Sequence, residues 1–174
     1  MNTLHYSKVN FPYMCQLFSL YLDELRQIQG TLPGKGTNEQ RFHAVFNTHH
    51  TDWYHLLSDD ESVIGFVIIG HGLNCHPKAD YMFAEAYVLP EYRGQGYLHL
   101  WVHNFLEINH VNLVSMFILG QNTHAARVWG HIFASEGFSY CDLPDYSGSE
   151  GSILVQLGWK RRKPFGKSLS KIKK

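Results

Sequence analysis

Long apolar runs are missing from this sequence. The longest, around Val63 to Ile69, is far too short to span a bilayer, and the N-terminus has no charged segment followed by an apolar stretch. The expectation is a soluble, cytoplasmic protein with no membrane partner. Cysteine is scarce: Cys15, Cys75 and Cys141 are odd in number, widely separated and in no CxxC pair, which argues against a disulfide framework or a zinc knuckle. No internal repeat occurs. Net charge is lacking too, with 15 basic and 15 acidic residues, but the balance is uneven. From Lys160 onward the chain has eight basic residues and no acid, which leaves seven basic against 15 acidic residues in 1–159. The acidic body favours a cationic acceptor. The basic tail offers a surface to nucleic acid or another anionic partner, although a solvated end is its simplest reading.

Apolar mass, by contrast, is ample. With 44% hydrophobic and 14% aromatic residues, the 174-residue chain can build one substantial core. The division expected is one domain over 1–159 and a basic C-terminal tail over 160–174. Leu4 to Lys8 reads as a first strand, and Asn10-Phe11-Pro12 as a helix start with an asparagine cap and a proline in the first turn. Met14, Leu17, Phe18, Tyr21, Leu22, Leu25 and Ile28 recur at helical spacing and face the core up to a stop at Gly30. Thr31 to Thr37 is a loop without P-loop spacing, and a second helix runs from about Asn38 to Phe46. Trp53 to Leu57 and Ser62 to Ile69 read as a hairpin across Ser58 to Glu61, the second strand apolar on both faces. A strand follows over Tyr81 to Val88, then a helix marked by Leu98, Trp101, Val102, Phe105 and Leu106. Leu113 to Leu119 is a buried strand, Asn122 starts a helix that stops at Gly137, and Phe138 to Leu143 and Ser152 to Trp159 are the last strands.

The functional signal is concentrated in Phe83 to Leu98, FAEAYVLPEYRGQGYL. After a strand, closely spaced glycines let the backbone turn with converging N–H groups, and a helix that begins there adds its own free N–H groups and the positive end of its dipole. The product is an anion cradle, most often for phosphate. Arg93 and Gly94-Gln95-Gly96 suit a pyrophosphate gripped chiefly through main chain.

Strand, VxPxxRGxGY, helix, strand, then Asn122, a helix and Gly137-Phe138: this order resembles the GNAT superfamily of N-acetyltransferases. The resemblance is strong over Tyr81 to Phe138 and rests on element order alone from Leu4 to Ile69. Arg93-Gly94-Gln95-Gly96-Tyr97-Leu98 follows the family's R/Q-x-x-G-x-G/A loop at its first and fourth positions and puts Leu98 where glycine or alanine is usual. The resemblance implies a single α/β domain with a mixed, mostly antiparallel sheet of about seven strands flanked by about four helices. Tyr81–Val88 and Leu113–Leu119, fourth and fifth in order, are expected to be parallel and splayed. It further implies acetyl-CoA as co-substrate, no metal, and direct transfer of an acetyl group to a primary amine. Val88, Leu89, Arg93, Gly94, Gln95, Gly96, Tyr97, Leu98 and Asn122 are the expected cofactor-binding residues.

Acetyl transfer to an amine needs a base for the amine proton and donors aimed at the developing oxyanion. Glu85, three residues before Val88, stands where similar enzymes often carry the base, and the N–H groups of Val88 and Leu89 are expected to face the thioester or pantetheine arm because a splayed strand frees main-chain groups. The tyrosine that the family often uses as general acid is absent: counting from Asn122 gives Trp129, and counting back from Gly137 gives Phe133. Water, Tyr140, Tyr146 or the substrate ammonium is left for that role. His99, His103 and Glu107 share a helix face at i, i+4, i+8, a metal-like spacing read as a solvated flank. His124 and His131 lie near the expected cofactor helix. The favoured acceptor is a small cationic amine. The alternatives are a protein or RNA acetyltransferase guided by the basic tail, and a non-catalytic acyl-CoA-binding module; the oligomeric state is left open, a dimer being compatible.

Overall fold

The computed structural model describes residues 11–30, 36–47, 49–142 and 153–160. The strand expected at Leu4–Lys8, most of the Thr31–Thr37 loop, the Leu143–Ser152 loop and the basic tail beyond Lys160 lie outside these residues. Helices α1 (Phe11–Gln29) and α2 (Asn38–Phe46) come first. α1 ends at Gly30, whose positive φ of 79° suits glycine. α2 begins with a capping box, in which the Thr37 side chain accepts from the Gln40 N–H and the Gln40 side chain accepts from the Thr37 N–H. Strands β1 (Thr51–Leu57), β2 (Val63–Gly70) and β3 (Tyr81–Val88) follow, then α3 (Tyr97–Ile108), β4 (Leu113–Leu119), α4 (Thr123–Ser135), β5 (Phe138–Asp142) and β6 (Ile153–Lys160).

The strands form one mixed sheet in the order β1-β2-β3-β4-β6-β5. Six strands are present among the described residues rather than about seven, because the expected first strand falls outside them. All pairs are antiparallel except β3 with β4. That parallel pairing covers only Tyr81↔Val114, Met82↔Ser115 and Phe83↔Met116, although both strands continue, so their C-terminal ends separate.

β2 is buried along nearly its whole length because both faces of the sheet are covered. Phe66 and Ile68 pack with Met14, Phe18, Leu22 and Phe42 under α1 and α2. Val67 and Ile69 pack with Phe83, Phe105, Trp129 and Phe133 under α3 and α4. Gly65 sits opposite Val88, at the end of β3 from which the glycine-containing loop to α3 departs. A Cβ added at Gly65 would lie 2.1 Å from the Tyr87 carbonyl oxygen, closer than any real contact allows. Gly65→Ala is therefore expected to cost about 1–3 kcal/mol through forced displacement of β3, read as a lower midpoint in thermal unfolding.

Candidate functional site

The separated ends of β3 and β4 open a cleft of ≈ 640 Å³. Tyr21, Glu24, Leu25 and Ile28 of α1 form one wall, Ala86, Tyr87 and Val88 of β3 the floor, and Asn122, Ala125, Val128, Trp129 and Ile132 the opposite wall on α4. Gly94, Gly96, Tyr97 and Leu98 close one end. Gly94 and Gly96 have φ of 73° and 85°, conformations that a side chain resists, and a Cβ added at either would meet nothing within 4 Å. Gly96 caps α3, so the first-turn N–H groups of Tyr97, Leu98 and His99 have no partner within the helix. Open space, converging N–H groups and the positive end of a 12-residue helix coincide there.

Arg93 is placed differently from a phosphate-gripping side chain. Its guanidinium makes a bidentate pair with Glu24 of α1 at 3.0 and 2.6 Å, its Nε donates to the Val88 carbonyl at 2.8 Å, and its carbon lies 5.5 Å from the centre of the Tyr87 ring. Arg93 thus fastens the loop to α1. Gln95 is exposed, and its Nε2 donates to the Glu91 carbonyl within the loop.

Main-chain geometry also revises one expectation. The Leu89 N–H, expected to face a ligand, donates to the Ile64 carbonyl at 2.8 Å and so completes the pairing with β2. Alternation along the strand turns Val88 the other way, to the side where β4 has separated. Asn122 caps α4 by accepting from the Ala125 N–H at 3.0 Å, and it stands on the cleft wall.

Glu85 owes its orientation to a bulge. The β2–β3 register runs Ile68↔Glu85 and then Ile69↔Phe83, leaving Ala84 as an extra residue. Strict alternation would put Glu85 on the same face as Phe83, in the α3–α4 core; the extra residue turns it to the α1 face, where it accepts a hydrogen bond from the Tyr21 hydroxyl. Burial pushes the Glu85 carboxyl up to about 7, against the opposing pull of that hydrogen bond. Burial, followed by the charge of Glu85, holds the Tyr21 phenol well above its ordinary range.

Trp129 is 8% exposed and stacks on Phe133 with ring centres 5.6 Å apart. It offers no hydroxyl to the cleft. His99 and His103 both meet Glu136, at 3.0 and 2.9 Å, so Glu136 joins the two imidazoles. His99, His124 and His131 line the cleft. The side chains of Tyr140 and Cys141, and all of Tyr146, lie outside the described residues. Sequence reasoning missed Glu24, Glu136 and the polar role of Tyr21, which the helical stripe counts as a core residue. The available signal was a hydroxyl and a carboxylate on the inward part of α1.

The raised Glu85 carboxyl has a consequence for stability. Between about pH 4.5 and 7 the folded protein keeps a proton on Glu85 that the unfolded chain has released, so stability falls as pH rises through that window. The slope from this group is at most about 1.4 kcal/mol per pH unit. Urea unfolding across the window is expected to show this slope in the wild type and to lose it in Glu85→Gln.

No family model and no curated protein sequence matches the chain. Solved structures do. One, named histone acetyltransferase HPA2 and related acetyltransferase, from Corynebacterium glutamicum, superposes with a TM-score of 0.64 at 11% identity over 94% of this chain and 97% of that one. A GNAT family acetyltransferase from Streptococcus agalactiae gives 0.58 at 13% identity, covering 92% of this chain and all (100%) of the other. A spermidine N-acetyltransferase from Vibrio cholerae, in complex with CoA and spermine, gives 0.58 at 12% identity over 89% and 93%. The chain therefore has the fold of the GNAT acetyltransferases.

Proposed function

We propose that this protein is an acetyl-CoA-dependent N-acetyltransferase acting on a small cationic amine. The observation that carries the reading is that one cleft is bounded at its end by a glycine cradle at a helix N-terminus and on its α1 side by a hydroxyl bonded to a half-neutralised carboxyl. The cradle suits a pyrophosphate: side-chain-free space lies over Gly94 and Gly96, and α3 begins there with first-turn N–H groups that have no partner within the helix. Bound acetyl-CoA would supply an acetyl group activated as a thioester. In this reading the main chain of Gly94, Gln95, Gly96, Tyr97 and Leu98 holds the pyrophosphate, and the Val88 N–H faces the pantetheine arm. Leu98 and Asn122 flank that arm, while Arg93 acts through the loop's shape.

Glu85 is the base. A carboxyl near 7 is partly ionised at neutral pH and is better matched to an ammonium proton than one at its ordinary 4.5. A cationic acceptor is supported by the acidic balance of 1–159, by the Glu24 carboxylate on the α1 wall and by Glu85 buried behind the Tyr21 hydroxyl. The Vibrio cholerae enzyme of the same fold is in complex with spermine, which makes polyamines the first class to try.

Isothermal calorimetry is expected to show acetyl-CoA binding that Gly96→Val weakens about 100-fold or more with the circular dichroism spectrum unchanged. Absence of heat with the wild type at millimolar acetyl-CoA rejects the reading. Glu85→Gln is expected to lower turnover about 100-fold and to flatten the alkaline rise of the pH–rate profile, with acetyl-CoA affinity kept within about twofold. Saturable binding without CoA release across polyamines, aminoglycosides, amino acids and peptides would instead identify an acyl-CoA-binding module.

A further inference from the structure

We infer that Tyr21 is a catalytic residue of this site: its phenol meets the acceptor ammonium and hands the proton inward to Glu85. The inference rests on the acetyltransferase reading and deepens it. Tyr21 lines the cleft, whereas Glu85 is not among the residues that do. The Tyr21 O–H donates to Glu85 Oε2, so the carboxylate oxygen on that side is reached through the phenol. Tyr87, Tyr92 and Tyr97 also line the cleft, but among the described residues Tyr21 is the tyrosine there whose hydroxyl is bonded to a carboxylate.

The phenol is held in place by aromatic packing. The Tyr21 ring meets Phe66 edge-on at 5.7 Å and 89°, and lies 5.8 Å from Phe18 and 5.9 Å from Tyr87. Such rings fix the hydroxyl at low entropic cost. The other charged or titratable groups nearby are Glu24 of α1, Tyr87 of β3, and Arg93 and Glu91 of the loop, with Arg93 committed to Glu24.

Tyr21 stays protonated across the neutral range because burial and Glu85 both disfavour the phenolate. A group of this kind does not act as a base alone. It releases its proton to Glu85 as it takes one from the ammonium. The proton account then closes: one N–H bond of the acceptor breaks, one O–H bond forms on Tyr21, the former Tyr21 proton joins Glu85, and Tyr21 ends unchanged. The amine is left neutral and nucleophilic, and Glu85 returns its proton to solvent between turnovers.

The test is Tyr21→Phe, which keeps the ring and removes the hydroxyl. In the protein without acetyl-CoA, NMR of carboxyl-labelled glutamate is expected to show the Glu85 midpoint rising above that of the wild type, because a hydrogen bond that lowers it is lost. An unmoved midpoint overturns the contact and the relay with it. In turnover, rates are compared at the alkaline plateau, where Glu85 is ionised in both proteins. The relay predicts a plateau lower by about 100-fold with acetyl-CoA affinity within about twofold, and a Tyr21→Phe/Glu85→Gln double variant little slower than either single one. A plateau equal to wild type, with only the limb displaced, reduces Tyr21 to a positioning residue and overturns the relay alone. If the wild type turns over no amine at all, the acetyltransferase reading fails first and the relay falls with it.

Discussion

Parallel pairing between β3 and β4 lasts for three residue pairs and then stops. A sheet interior normally uses every main-chain donor and acceptor, so strands that separate leave groups that only a ligand, water or a side chain can satisfy. Here the Val88 carbonyl is taken up by Arg93, and the edge beyond it is the floor of the cleft. The walls follow from the same event. α1 covers one face of the sheet and α4 the other, and the two come within one cavity only where the sheet between them is split.

Charge placement around this gap is ordered by burial. Arg93 and Glu24 form a half-exposed bidentate pair at the rim, where an ion pair retains much of its hydration. Glu85 lies deeper, with a phenol rather than a cation as its partner, and there the loss of hydration dominates. Two carboxylates, one on α1 and one on β3 facing it, therefore differ in their surroundings. Glu24 ties the loop to α1 through its ion pair with Arg93; Glu85 is raised by burial to about 7.

Much of the architecture was legible in the sequence. β3 and β4 occupy the expected spans Tyr81–Val88 and Leu113–Leu119, and α2 the expected Asn38–Phe46, because unbroken apolar patterning and a capping box act over a few residues. The glycine cradle was legible for the same reason: Gly94 and Gly96 carry their conformational meaning locally. What escaped depends on distant partners. The Tyr21–Glu85 and Arg93–Glu24 contacts join positions 64 and 69 residues apart, and the Ala84 bulge is defined only against β2. Leu89 fell to the same limitation, since nothing near it in the chain announces that Ile64 will claim its N–H.

Trp129 stands where a tyrosine is more usual in the family that the sequence resembles, and the change does more than withdraw a hydroxyl. An indole on the cleft wall, packed against Phe83 and Phe133 and bordering the space available to a ligand, is an optical reporter carried by the native chain. Among the four tryptophans of the chain, Trp53 and Trp101 are buried in the two cores and do not line the cleft, so the emission of these two is a background that cleft occupancy leaves largely constant. The residue that removes an acid from the wall thereby makes occupancy of the cleft visible in fluorescence without any label.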